Sequence, residues 1–232
     1  MNLLETYDEL SALNESPTYS AYEPINLEAF ENGTNNVLYI VGMPGSGKST
    51  LADMLAEQYG AKIINLDNGW LGGIVNVTDE ELEISWFDEE FWRHFPKYRI
   101  TFDNVCKYVN EHPEDPYAAE NCPDADSVLG GTYYTDYIKY AIEYANSHKQ
   151  EKFIIEGVQL LDRDSAGYLH RALMGPNPSI LFMRTKSKRV TRNIRARDKA
   201  WGLKPRDPKE LHKQNMKWKK EIDDFRKEFK GE

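Results

Sequence analysis

Hydrophobic positions in this chain fall into short continuous runs and longer helical stripes, and the two alternate. Val37–Val41 (VLYIV) is a five-residue apolar run leading directly into a glycine-rich stretch, the pattern of a strand buried on both faces. Lys48–Tyr59 then sets Leu51, Met54 and Leu55 on one helical face and stops at Gly60, a residue suited to a left-handed C-terminal cap. Ala61–Leu66 (AKIINL), Phe153–Ile155 (FII) and Ser179–Met183 (SILFM) predict three further strands. Strands alternating with helical stripes predict an α/β fold: three layers around a mainly parallel central sheet.

Residues 68–150 separate the second of these strands from the third, far more than a crossover needs. The segment predicts its own helices. Thr78 and Glu81 match a capping box, with Trp86, Phe87, Phe91, Trp92 and Phe95 behind them. Phe102–Glu111 and Tyr133–His148 predict two more helices, and Pro113 to Gly131 reads as loop. The aromatic cluster of residues 86–95 suits either the insertion's own small core or a surface for stacking a planar ligand.

Two basic helices close the chain. Lys188–Trp201 carries Lys188, Arg192, Arg195 and Lys199 on one stripe and Val190, Ile194 and Trp201 on another. Arg197 would lie beside the apolar stripe of an unbroken helix, so a break near Arg195–Asp198 is expected. The last helix opens at Asp207-Pro208-Lys209-Glu210, an N-cap, a first-turn proline and a capping glutamate. Leu211, Trp218, Ile222, Phe225 and Phe229 share one stripe, which predicts docking on the body, with coiled-coil dimerisation as the alternative. Residues 1–35 read as an acidic N-terminal extension, with Leu3, Leu4, Tyr7 and Leu10 able to form a short amphipathic helix. The domain is then residues 36–232, with a helical insertion at about 68–150 and a lid and C-terminal helices at about 185–232.

Charge sharpens this picture. The net charge is −9, yet residues 1–183 hold 30 acidic and 11 basic side chains, and residues 184–232 hold 18 basic and 8 acidic. Such a basic end must meet phosphates, nucleic acid, or the acidic body itself. No apolar run approaches a membrane span, and the start lacks the basic and apolar regions of a signal peptide. With only Cys106 and Cys122, and no metal-ligand spacing around them, a reduced cytoplasmic setting without membrane contact is expected.

The chemistry is concentrated in Gly42–Ser49 (GMPGSGKS), which fits G-x-x-x-x-G-K-[S/T] at every fixed position and lies between a predicted strand and a predicted helix. In such a P-loop the glycines let backbone N–H groups converge on phosphate oxygens, and the helix N-terminus adds positive charge. Gly42, Pro44, Gly45, Ser46, Gly47, Lys48, Ser49 and Thr50 are the candidate nucleotide-binding residues. Lys48 would reach the β/γ-phosphates, and Ser49 would join a Mg²⁺ shell.

This layout resembles the P-loop small-molecule and nucleoside/nucleotide kinases of the P-loop NTPase superfamily, over residues 36 to about 206 in organisation and tightly only at the loop. The resemblance implies a substrate-binding insertion and an arginine-bearing lid. It makes Asp67, at the end of the second strand, a base or orienting group for the acceptor, although Asp67-Asn68-Gly69 is also a good turn sequence. Glu156, before Gly157, resembles a Mg²⁺-holding carboxylate that also borders the acceptor site, and Gln159 could hydrogen-bond that acceptor. Arg192, Arg195 or Arg197 would neutralise the transferring phosphoryl group, with a merely solvated basic face as the alternative.

The expected activity is transfer of the γ-phosphoryl group of ATP, or another nucleoside triphosphate, with Mg²⁺ to a small-molecule or nucleotide acceptor. A regulatory or switch NTPase is the second reading. Against it, Arg184-Thr185-Lys186-Ser187 stands where an N-K-x-D base-recognition motif would follow the fourth strand, and no L-S-G-G-Q occurs. Kinases of polynucleotide ends or, in the manner of zeta toxins, of nucleotide sugars remain open; nucleic acid is disfavoured by the acidic body.

Overall fold

A computed structural model describes residues 22–66, 85–115, 118–124, 131–161, 172–200, 204 and 206–230. Its centre is a five-stranded sheet of β1 (Tyr22–Ile25), β2 (Val37–Val41), β3 (Lys62–Asn65), β4 (Phe153–Glu156) and β5 (Ser179–Met183), in the order β1-β5-β2-β4-β3. The pairs β2–β5, β2–β4 and β4–β3 are parallel, and β1 runs antiparallel along β5. The register sets Glu156 opposite Ile40 on one side and Asn65 on the other.

Alternation along each strand divides the core between two faces. Leu38, Ile40, Ile154, Leu181 and Met183 pack with Leu51, Ala52 and Leu55 of α2 (Lys48–Tyr59) and with Phe30 of α1 (Leu27–Glu31). Val37, Tyr39, Val41, Phe153, Ile155, Ile180 and Phe182 face the other way. There they meet the insertion helices α3 (Trp86–His94), α4 (Pro96–Glu111) and α6 (Gly131–Ser147), and the final helix α8 (Pro208–Lys230). A short α5 (Ala118–Asn121) and a 3-10 turn (Val158–Leu161) lie between α4 and α6 and after β4. Every residue of β2, β4 and β5 is buried, which is why these strands read as continuous apolar runs.

Several elements depart from their sequence outline. Residues 22–35 are not part of an appended extension: β1 completes the sheet edge, and Tyr22 and Phe30 are fully buried. The cap of α3 is Ser85, whose hydroxyl and backbone N–H engage the Asp88 carboxylate. Thr78 and Glu81, like the proposed helix around Leu3–Leu10, lie outside the described residues. α4 begins at Pro96, six residues before the expected start, because proline suits the first helical position. Between α7 (Ser187–Ala200) and α8, Asp207 caps as anticipated, its Oδ1 accepting from Lys209 N at 2.6 Å.

The aromatic residues of 86–95 form the insertion's core. Phe87 and Phe91 are fully buried and meet the Tyr137 ring edge-on, while Phe91 stacks on Tyr98 at 5.5 Å. The Tyr137 hydroxyl donates to Asp88 Oδ1 at 2.7 Å, tying α6 to the cap of α3, and burial pushes that hydroxyl's pKa well up. On the same face of the sheet α8 docks through Leu211, Ile222 and Phe225, the last in edge contact with Phe182 of β5. No described helix is long and apolar enough to cross a membrane.

Candidate functional site

The carboxyl ends of the four parallel strands open on one edge of the sheet, where ligands of open α/β sheets gather. The loop Gly42–Gly47 leaves β2 there and turns into α2. Its conformation depends on glycine: φ is 74° at Gly45 and 94° at Gly47, values that side chains with a Cβ rarely adopt. A Cβ on Gly42 would lie 2.6 Å from Met183 Cβ and 2.8 Å from Ser46 Oγ, so the first glycine is required by close packing against β5.

The loop's polar groups are divided. Its carbonyls turn into the protein: Met43 O accepts from Ser46 N at 3.1 Å and from Lys48 Nζ at 3.3 Å, Gly45 O from Asn193 Nδ2 at 3.0 Å, and Ser46 O from Thr185 Oγ1 at 2.9 Å. The first helical bond of α2 is Leu51 N to Gly47 O at 3.1 Å, which leaves the N–H groups of Lys48, Ser49 and Thr50 ahead of the helical ladder. Gly47 caps the helix without a side chain to accept from them. Carbonyls tied back beside the N-terminus of α2 leave the positive end of a helix at the loop, an arrangement suited to an anion. Within it the Ser46 hydroxyl is buried without a hydrogen-bond partner, and Lys48 is only 5% exposed.

Beside the loop, Ser49 Oγ donates to Glu156 Oε1 at 2.8 Å. Glu156 is 1% exposed, and a carboxylate so buried is tolerated where donors or cations meet it. Gly157 follows it in the tightest part of the site: a Cβ there would run into Gln159 Oε1 and into Leu66 Cβ. The Gln159 side chain is therefore folded against the ends of β3 and β4, close to Glu156. Leu66 ends the described part of that strand, and Asp67 lies outside the described residues. Among the described residues, no cluster of three or more His, Cys, Asp or Glu is placed to hold a metal ion.

Helix α7 closes the other side of the loop. Ile194 packs so tightly on Gly45 that a Cβ on the glycine would lie 2.9 Å from Ile194 Cγ1. The helix is continuous from Ser187 to Ala200, so the expected break near Arg195–Asp198 is absent. Two features make continuity possible: the Arg197 side chain is exposed, and the buried Asp198 accepts from Arg206 Nε and Nη2, at 3.0 and 2.9 Å. Those hydrogen bonds hold the Asp198 carboxyl below the usual carboxylate range.

Asn193 fixes the phase of α7. At 100° per residue Arg197 lies about 40° around the helix from Asn193, on the loop side. Arg192 and Arg195 lie about 100° and 160° from it, toward solvent. Of the three candidate arginines, only Arg197 shares the loop-facing side.

Asn193 and Thr185, which hold the loop's carbonyls, escaped the sequence reading. An asparagine inside an amphipathic helix, where it is a poor helix former, was the available signal. No protein-family model matches the chain, and no curated protein matches it.

Proposed function

We propose that the chain is a phosphotransferase that binds ATP, or another nucleoside triphosphate, with Mg²⁺ at Gly42–Thr50 and passes the γ-phosphoryl group to an acceptor held beside Glu156 and Gln159. One observation carries the reading: the loop's carbonyls are tied to Ser46, Lys48, Asn193 and Thr185, and the helical bonds of α2 begin only at Leu51 N, so the positive end of the helix meets the loop. The residues fit a triphosphate. The cradle between Gly42 and Gly47 has no room for a Cβ at Gly42 or Gly45, it holds a buried ammonium in Lys48, and it contains an orphaned hydroxyl in Ser46.

They also fit Mg²⁺. This ion binds through one or two protein oxygens and takes its remaining ligands from phosphate and water, and Ser49 and Glu156 form such a pair. When bound, the ion would neutralise phosphate charge. Lys48 contributes a fixed positive charge toward the same oxygens. Arg197 supplies a planar donor set from α7 to stabilise the transferring group. Gln159 orients the acceptor, and Asp67, next in chain to Leu66, is the candidate for accepting the acceptor's proton.

The test is product detection. Protein incubated with ATP and Mg²⁺ consumes ATP slowly alone, and in a broad library of small-molecule and nucleotide acceptors it yields a phosphorylated product seen by mass spectrometry. Rapid hydrolysis unchanged by every acceptor would assign the chain to NTPases instead.

A further inference from the structure

The charge asymmetry of the chain is only partly resolved by internal pairing. Glu23 of β1 accepts from Arg184 at 2.6 Å and from Arg226 of α8 at 2.9 Å, and Asp198 accepts from Arg206. The solvent side of α7 takes no share in this. Lys188, Arg192, Arg195 and Lys199 are all exposed, and among the described residues none of them enters an ion pair or a side-chain hydrogen bond. Their spacings are four, three and four residues, so each is the neighbour of the next on the helix surface, and each such like-charged contact opposes helix formation. Arg189 flanks the same stripe and is exposed. The opposite faces of α7 are committed: Val190 and Ile194 are buried, Asn193 holds the glycine loop, and Thr191 Oγ1 accepts from Asn215 Nδ2 of α8 at 3.2 Å.

A helix fastened to the glycine loop on one side thus presents a row of four unneutralised cations, about 16 Å long, on the other. We infer that this row is a binding surface for the phosphodiester backbone of a single-stranded nucleic acid. Regularly spaced backbone charges relieve the repulsion along the whole row, whereas a lone small anion meets one or two cations at a time. The rest of the chain, with its excess of carboxylates, repels a polyanion and confines it to α7 and the neighbouring helix α8, where Lys209, Lys213, Lys220 and Lys227 are also exposed. The inference extends the proposed function by naming the class of molecule brought to the site, and it rests on that reading only for what happens afterwards.

Binding of a fluorescein-labelled, mixed-sequence 20-nucleotide single strand is measured by anisotropy between 50 and 300 mM salt, with no nucleoside triphosphate present. Four phosphate contacts predict a slope of log K against log salt of about −3, since each contributes about 0.7 on a single strand. The double variant Lys188→Gln/Lys199→Gln removes two contacts, flattening the slope by about 1.4 and weakening binding at low salt. Both substitutions are at exposed positions, and an unchanged unfolding midpoint verifies the fold. No binding of the strand at 50 mM salt overturns the inference, as does a slope the double variant leaves unchanged. Binding to vesicles with 30% phosphatidylserine but not to the strand overturns it in favour of a membrane surface. Because no triphosphate is present, these outcomes are independent of whether the glycine loop binds nucleotide.

Discussion

Ser49 and Glu156 are 107 positions apart in sequence, yet the Ser49 hydroxyl donates to the Glu156 carboxylate at 2.8 Å. Parallel pairing of β2 with β4 produces this contact, because it ends both strands at the same edge, with Ile40 opposite Glu156. Glu156→Gln keeps an oxygen to accept from Ser49 and removes the charge. Titration of nucleotide in the presence and absence of Mg²⁺ is expected to show the metal-dependent gain in affinity reduced about tenfold, a difference of about 1.4 kcal/mol. A fully retained gain would show that Glu156 takes no part in holding Mg²⁺.

The contact between Gly45 and Ile194 predicts a stability effect. Gly45→Ala meets both a positive φ and a Cβ 2.9 Å from Ile194 Cγ1, and should lower stability by about 1–3 kcal/mol in thermal unfolding. Ile194→Ala removes Cγ1 altogether, so in its background Gly45→Ala should cost less, leaving only the backbone strain. The two substitutions are therefore non-additive.

Tyr22–Ile25 belong to the sheet and Phe30 of α1 packs beneath it, so Phe30→Ala should cost about 3–5 kcal/mol, the range for deleting a fully buried phenylalanine. Removal of residues 1–35 as a unit should leave insoluble or unfolded protein, judged by circular dichroism. A folded, cooperatively unfolding product would contradict the role given to β1.

That error in the sequence outline has a physical origin. VLYIV and SILFM are legible because strands covered on both faces are apolar throughout. YEPI is a four-residue strand with a glutamate and a proline, a combination an edge position tolerates, and among the described residues it pairs with β5 alone. The α7 continuity was hidden for a similar reason. Arg197 is unfavourable beside Val190 and Ile194 only if buried, and the Asp198–Arg206 pair that anchors this turn is made across a loop. At the site, the glycine loop and the strand-end Glu156 are visible in sequence because both depend on local pattern. The grip of Asn193 and Thr185 on the loop is tertiary and has no periodic signature.

The Asp198–Arg206 pair gives a pH dependence of defined sign. Hydrogen bonds from Arg206 lower the Asp198 pKa in the folded state, so its contribution is present above the unfolded carboxylate value of about 3.9 and is lost as pH falls through the lower folded value. Arg206→Ala should lower stability at pH 7 by about 1–2 kcal/mol, a figure tempered by the half-exposed guanidinium. The deficit relative to the parent should shrink below about pH 4. A deficit constant from pH 7 to pH 2 would show that packing rather than the ion pair is at stake.

Calorimetric titration of the full chain with ATP, with and without Mg²⁺, alongside Lys48→Ala tests the central claim most directly. Mg²⁺-dependent binding by the parent chain is expected, together with its loss in Lys48→Ala while that variant still unfolds cooperatively. Absence of binding to any nucleoside triphosphate at millimolar concentration, or equal binding by a folded Lys48→Ala chain, would contradict it.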